Sequence, residues 1–224
     1  MIATMIDNPA TKPRSSSTIW IGLFLSLFAM LIVRQAVSYF WPTLTFTAAI
    51  WKESLIWMSA VALLLLVRRG EKLPLASIGI GTASLRKSML WGLILSVICL
   101  AVGLALAVVT HYGRSPAAEA LAKLPLWLIA LIVFRAGVVE ELFYRGYAIE
   151  RLQALGLNRY WAAAIPLLIF SVGHWTGGWA NIVIALALGG VLSAFYLWRR
   201  DLVANMVGHF LVDFVANVLP NLFS

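Results

Sequence analysis

Almost every stretch of this chain long enough to form an element is apolar for about 20 residues at a time, the length of helix that crosses a bilayer. Such runs stand at about 18–41, 46–67, 88–110, 125–149, 159–174, 179–198 and 202–219, separated by polar joints. In hydrocarbon each backbone N–H and C=O must be satisfied internally, which leaves helices or a closed barrel. These runs are continuous rather than alternating, so they predict helices. The chain is 62% hydrophobic and 12% charged, whereas soluble domains are nearer half and a quarter. A water-exposed fold would leave too much apolar surface uncovered. The chain therefore reads as an all-α polytopic membrane protein with about seven transmembrane helices, the last four forming the catalytic core, and no soluble domain.

The basic residues test that layout. Lys12, Arg14, Arg68, Arg69, Lys72, Arg86, Lys87, Arg145, Arg151, Arg159, Arg199 and Arg200 fall on one side, and only Arg114 and Lys123 on the other. The count is 12 against 2, or 11 against 2 without Arg145. Arg34, Lys52 and Arg135 lie inside or at the edge of spans. The positive-inside rule then puts the N-terminus in the cytosol and the C-terminus outside, as expected of a multi-pass protein of a bacterial-type inner membrane. The net charge of +8 orients the chain and is not a nucleic-acid footprint.

Residues 1–17 read as a disordered cytosolic tail. Lys12 and Arg14 ahead of an apolar run look like a signal peptide, but the run continues to about Trp41 with no small-residue cleavage site, which predicts a retained first helix. Tryptophans such as Trp20, Trp41, Trp91, Trp127 and Trp198 fall near span ends, as in an interfacial belt. The single cysteine, Cys99, lies in an apolar run remote in sequence from the polar clusters and reads as a packed thiol. His111 reads as a solvated residue of the joint 111–123, which has room for a short interfacial helix. Ala185, Gly189 and Ser193, at four-residue spacing, read as a packing surface.

Ionisable groups inside membrane spans face the bundle interior and mark function. Here they form three clusters. Glu141 and Arg145, four apart, share a helical face and can pair. Glu140 is turned about 100° from Glu141 and is less easily neutralised by Arg145. Phe170 and His174 stand one turn apart, and Asn205, His209 and Asp213 make one polar stripe on an apolar helix. Glu140 and His174 lie at similar distances from the turn near Gly156–Asn158, so an antiparallel hairpin puts them at similar depth. The fifth run then ends soon after His174, which predicts that "WTGGWAN" dips into the protein.

A glutamate and a histidine can deprotonate a water and pass its proton to a leaving amine. A second histidine with a carboxyl or amide neighbour can stabilise an oxyanion. Two histidines and carboxylates are equally adequate ligands for one divalent metal, zinc above all, with a remaining glutamate as base. Both schemes amount to hydrolysis inside a membrane, with or without a metal. The sequence holds no HExxH, no GxSxG and no GD pair of an aspartyl intramembrane protease. The alternatives to an enzyme are a catalytically silent binding or immunity partner and a proton-coupled transporter.

The ordered set Glu140-Glu141-x-x-x-Arg145, Phe170-x-x-x-His174 and His209-x-x-x-Asp213, with Asn205 ahead of the last, resembles the type II CAAX prenyl protease and bacteriocin-processing (abortive infection) family of intramembrane proteases. The resemblance covers residues 117–219 and implies a protease core there, after N-terminal transmembrane helices over 18–116 in which no motif is matched. It implies that Glu140 and His174 activate the attacking water. His209 and Asp213 then stabilise the oxyanion or bind metal, and Glu141 and Arg145 hold the site. Glu140, His174, His209 and Asp213 are the ligand set if a metal is used, with Phe170 and Asn205 in support. CAAX-processing members tend to carry asparagine where this chain has Asp213. An ionised aspartate is a poor oxyanion donor, and Asp213 suits a metal ligand, a protonated carboxyl or an orienter of His209. The implied partners are the lipid bilayer and a membrane-associated protein or peptide substrate, with no nucleic acid. The sequence leaves substrate identity and oligomeric state open.

Overall fold

The computed structural model of the protein describes residues 16–113 and 116–222, and among these it contains helices and no strand. Lys12, Arg14 and Arg114 lie outside the described residues, as does the expected disordered tail up to residue 15. Helix α1 (Ser16–Phe40) pairs with α2 (Phe46–Leu65, carried on by a π turn over Leu66–Gly70). A 3-10 turn (Leu75–Ile78) leads to α3 (Leu85–Val109), and α4 (Pro116–Ala122) is a short helix in the joint 111–123. Helix α5 is composite: α-helical over Leu126–Arg135, π-helical over Ala136–Ile149 and α-helical again over Glu150–Ala154. Then come α6 (Arg159–Val172), α7 (Trp179–Arg199) and α8 (Leu202–Asp213, with a π turn Phe214–Val218 and a last turn Leu219–Leu222).

Five of these segments are long and apolar enough to cross a membrane: α1, Phe46–Gly70, α3, α7 and Leu202–Leu222. The chain is an all-α polytopic membrane protein, as its apolar runs predict. Helix α6 has 14 residues, about 21 Å at the usual rise, against a hydrocarbon core of about 30 Å. It ends short of the far face and leaves His174 within the bundle. Helix α5 is central, with every residue of its π stretch buried except Val138. Leu142, Phe143 and Tyr147 pack into the main core with Ile19 and Leu23 of α1 and Leu63 of α2. A stretch that carries charge cannot face lipid, and the π stretch is enclosed, while Trp127 and Phe134 of the preceding α-helical turns are exposed.

Glycines let α8 close on its neighbours. A Cβ on Gly137 would come within 2.8 Å of the Phe210 backbone nitrogen, and one on Gly92 within 3.0 Å of the Ala204 carbonyl oxygen. Close approach of this kind is how membrane helices gain packing without a hydrophobic drive. The Asp201 carboxylate caps α8 by accepting from the Ala204 N–H (3.1 Å) and also accepts from the Ser88 hydroxyl of α3 (2.8 Å). Asp201→Ala should cost about 1 kcal/mol, read as a lower thermal midpoint of the purified protein in detergent. An unchanged midpoint would show that the cap is idle.

The joints rich in basic residues meet at one end of the bundle. There Glu71 binds Arg151 (2.7 Å) and accepts from the Tyr147 hydroxyl (2.7 Å), while Glu150 binds Arg200 (2.7 Å). Arg145 is not among them. It is 1% exposed in the middle of α5, so the charge asymmetry is the one without it. The segment after His174 departs from expectation. Trp175 and Trp179 are 53% and 67% exposed rather than dipping into the protein. A 3-10 turn (Trp175–Gly177) and Gly178 at φ 84° swing the chain straight into α7. The Asn181 amide donates back to the His174 carbonyl (3.1 Å), so no slack is left to fold inward.

Candidate active site

The fully buried carboxylate of Glu141 is the hub of the polar interior. One of its oxygens, Oε1, accepts from Arg145 Nη1 (2.8 Å) and from His209 Nδ1 (2.8 Å), while Oε2 accepts from the Asn205 amide (3.0 Å). Arg145 continues across to α7, donating to the Gly189 carbonyl (3.0 Å) and the Ser193 hydroxyl (3.3 Å). Asn205 donates also to the Leu192 carbonyl (2.9 Å), while its Oδ1 is buried with no partner among the described residues. The pairing of Glu141 with Arg145 expected from four-residue spacing is present. The small residues of α7 do more than pack. A Cβ on Gly189 would lie 2.8 Å from Arg145 Nη2 and 2.8 Å from Leu167, so only glycine leaves room for the guanidinium.

This network fixes His209. With Nδ1–H donated to Glu141, Nε2 is the ring nitrogen left for chemistry. Asp213 Oδ2 lies 3.6 Å from it, too far for a hydrogen bond. The residue that orients His209 is therefore Glu141 and not Asp213. In the same way His174 Nδ1 donates to the Phe170 carbonyl one turn back (2.8 Å), which leaves a lone pair on Nε2. Phe170 is the spacer among these groups. Its ring lies under the Arg145 guanidinium (4.6 Å) and against the rings of His174 (4.6 Å), Tyr144 (5.3 Å) and His209 (6.2 Å).

A cavity of about 110 Å³ opens beside the two imidazoles, lined by His174, His209, Asp213 and Phe170 together with Cys99, Leu188 and Leu192. Cys99 is thus not remote from the clusters, although it is a buried thiol as read. Close packing of α3 on α8, where Gly208 admits Leu95, brings it to the cavity wall.

Glu140 lies elsewhere. It is not among the residues lining that cavity, although it is within electrostatic reach of His209 and Asp213. Its Oε1 accepts from Arg135 Nη1 (2.7 Å), and Arg135 in turn donates from Nε (3.0 Å) and Nη2 (3.4 Å) to Glu53 of α2. Among the described residues Glu140 Oε2 takes no hydrogen bond, and none joins Glu140 to His174. Glu53 and Arg135 were missed as site residues. Arg135 carried a signal, since a cation within a span asks for a partner, but five residues along an ordinary helix are about 140° apart. In a π stretch hydrogen bonds run from i to i+5, which puts residues 135 and 140 one turn apart. Glu53 comes from another helix and left no local trace.

The first two helices thus border the site as well. Arg34 of α1 donates from Nη1 to the Gly173 carbonyl (2.7 Å), beside His174, and its guanidinium stands 5.7 Å from the centre of the Trp175 ring. The four residues offered as zinc ligands are not assembled for that task. Glu140 Oε1 is taken by Arg135, and the Nδ1 atoms of His174 and His209 have protein partners, which leaves Nε2 of each ring as its ligating atom. Among the described residues no three His, Cys, Asp or Glu side chains are gathered as a metal-binding group. Of the four, His174, His209 and Asp213 line the cavity and Glu140 does not.

What remains is a polar pocket with one imidazole lone pair and one oriented imidazole, set within membrane-crossing helices, with the unbonded carboxylate oxygen of Glu140 outside its lining but within electrostatic reach of His209 and Asp213. No curated protein and no solved structure matches the chain. The family model described as type II CAAX prenyl endopeptidase, Rce1-like, matches residues 122–215, which include all eight residues singled out from the motifs. The resemblance those motifs carry is borne out, and over residues 122–215 the chain is similar to the Rce1-like type II CAAX prenyl endopeptidases.

Proposed function

We propose that the protein is an intramembrane endopeptidase that hydrolyses a peptide bond of a membrane-associated or peptide substrate with glutamate- and histidine-activated water. The observation that carries the reading is the buried His209, tied by Nδ1 to a Glu141 that Arg145 and Asn205 also hold, on a cavity shared with His174. Residues held this rigidly suit a reaction that rewards preorganisation, and the match over residues 122–215 supports a protease-type chemistry.

In this mechanism Glu140, through Oε2, takes one proton of the attacking water while His174, through Nε2, accepts a hydrogen bond from it. Its oxygen bonds to the scissile carbonyl carbon. The negative charge that collects on the carbonyl oxygen is met by His209, whose Nε2–H donates when the ring is an imidazolium. The proton held by Glu140 then passes to the leaving amide nitrogen, the C–N bond breaks, and a carboxylic acid and an amine depart, the acid releasing the water's other proton to solvent. Glu141, Arg145 and Asn205 hold His209, and Phe170 spaces the rings. Asp213 adds negative charge near His209 Nε2 without orienting it. The positive end of the bundle is the cytosolic one in this reading, and the bilayer environment follows from the apolar helices.

The test uses the full chain reconstituted in lipid vesicles with a library of apolar peptides, followed by mass spectrometry of new peptide ends. The wild-type protein should generate cuts, and His174→Ala should lose them by about 10²-fold or more. Cuts made equally by both proteins would contradict the role given to His174.

A further inference from the structure

Glu53 belongs to no motif, yet it is 2% exposed on a membrane-crossing helix. A carboxylate buried in a bundle is costly unless it is paired. Its partner, Arg135, already has a second carboxylate in Glu140. Lys52 lies within electrostatic reach of both carboxylates, but the hydrogen bonds that join them run through the Arg135 guanidinium alone among the described residues, so charge balance does not by itself account for the arrangement.

We infer that Glu53 is a positioning residue for Glu140, acting through Arg135. The geometry is directional. Glu53 takes one edge of the guanidinium, with Arg135 Nε donating to Oε2 (3.0 Å) and Nη2 to Oε1 (3.4 Å). A guanidinium is planar with its donors in a fixed fork, so gripping that edge sets the direction of the remaining nitrogen. Nη1 then donates to Glu140 Oε1 at 2.7 Å. The carboxylate of Glu140 is held by one oxygen, and the other is left for the reaction. Without Glu53, Arg135 would be free to turn and to take both oxygens of Glu140. The proposal rests on the role given to Glu140 above, and it assigns α2 a part in the chemistry.

The experiment uses the full chain in vesicles and, as probe, the single library peptide that the wild-type protein cuts fastest. Glu53→Gln keeps the shape and removes the charge. It should lower kcat by roughly 10- to 100-fold per folded molecule while KM stays within about twofold. Glu53→Asp, which keeps the charge, should recover part of the loss. Combined with Glu140→Ala, Glu53→Gln should add no further loss, because it acts through that residue. A wild-type kcat per folded molecule in Glu53→Gln, or a full additional loss in the double variant, would overturn the inference. Should Glu53→Gln not fold, Glu53→Asp decides: a reduced kcat at unchanged KM supports the role, and a wild-type kcat removes it. Glu140→Ala alone separates the two levels. An inactive Glu140→Ala with an unaffected Glu53→Gln overturns only this inference, whereas an active Glu140→Ala overturns the mechanism beneath it.

Discussion

Glu141→Ala is expected to lower the folded yield sharply and to abolish cleavage in what does fold. The substitution removes the acceptor for three side chains at once. Arg145, 1% exposed, would keep the Gly189 carbonyl, the Ser193 hydroxyl and the Phe170 ring, none of them an anion. Its charge would be left buried with no anion to pair it. Breaking a buried pair in this way costs roughly 3–5 kcal/mol. Asn205 would lose its carboxylate acceptor while its Oδ1 is already without a partner among the described residues. His209 would lose the bond that aims its Nε2 atom. The comparison is made on purified protein in detergent, by the monodisperse fraction and the thermal midpoint beside wild type. A variant with wild-type yield and midpoint would show that the Glu141 network does not hold the bundle.

Glu140→Ala should do the opposite, leaving the fold and removing the reaction. Arg135 would still be paired, because Glu53 binds its other edge. No buried charge is orphaned, and the protein should insert and fold at close to wild-type yield. The rate per folded molecule should fall by about 10²–10⁴, the usual contribution of a positioned base. The adjacent glutamates are therefore separable, Glu141 by stability and Glu140 by rate. Equal yields and equal residual rates in the two variants would erase that division.

The placement of the helices was legible because the bilayer forces long apolar runs, and each of the seven runs corresponds to a helix within a few residues. The Glu141–Arg145 pair was legible because it is local and four residues apart. The pair between Arg135 and Glu140 was not, because the widened turn of the π stretch changes which residues share a face, and an ordinary helical period was assumed. Glu53, Arg34 and Cys99 come to the border of the site through contacts between helices far apart in sequence. No periodicity within one helix reports such contacts. The stripe Ala185, Gly189 and Ser193 read as packing because small residues usually are packing. Its use as a berth for Arg145 depends on the facing helix. The turn after His174 was misplaced because the fifth run ends early and suggested that the following segment dips inward, whereas Gly178 and Asn181 close the turn at the surface.

The central claim is proteolysis that depends on Glu140, and it is tested most directly in membranes of cells carrying the wild-type protein or Glu140→Ala at equal abundance. Peptide ends in the membrane proteome are mapped by mass spectrometry in both. The account predicts a set of new ends present with wild type and absent with Glu140→Ala, and these would also identify the substrate class. Identical ends with the two proteins would contradict it.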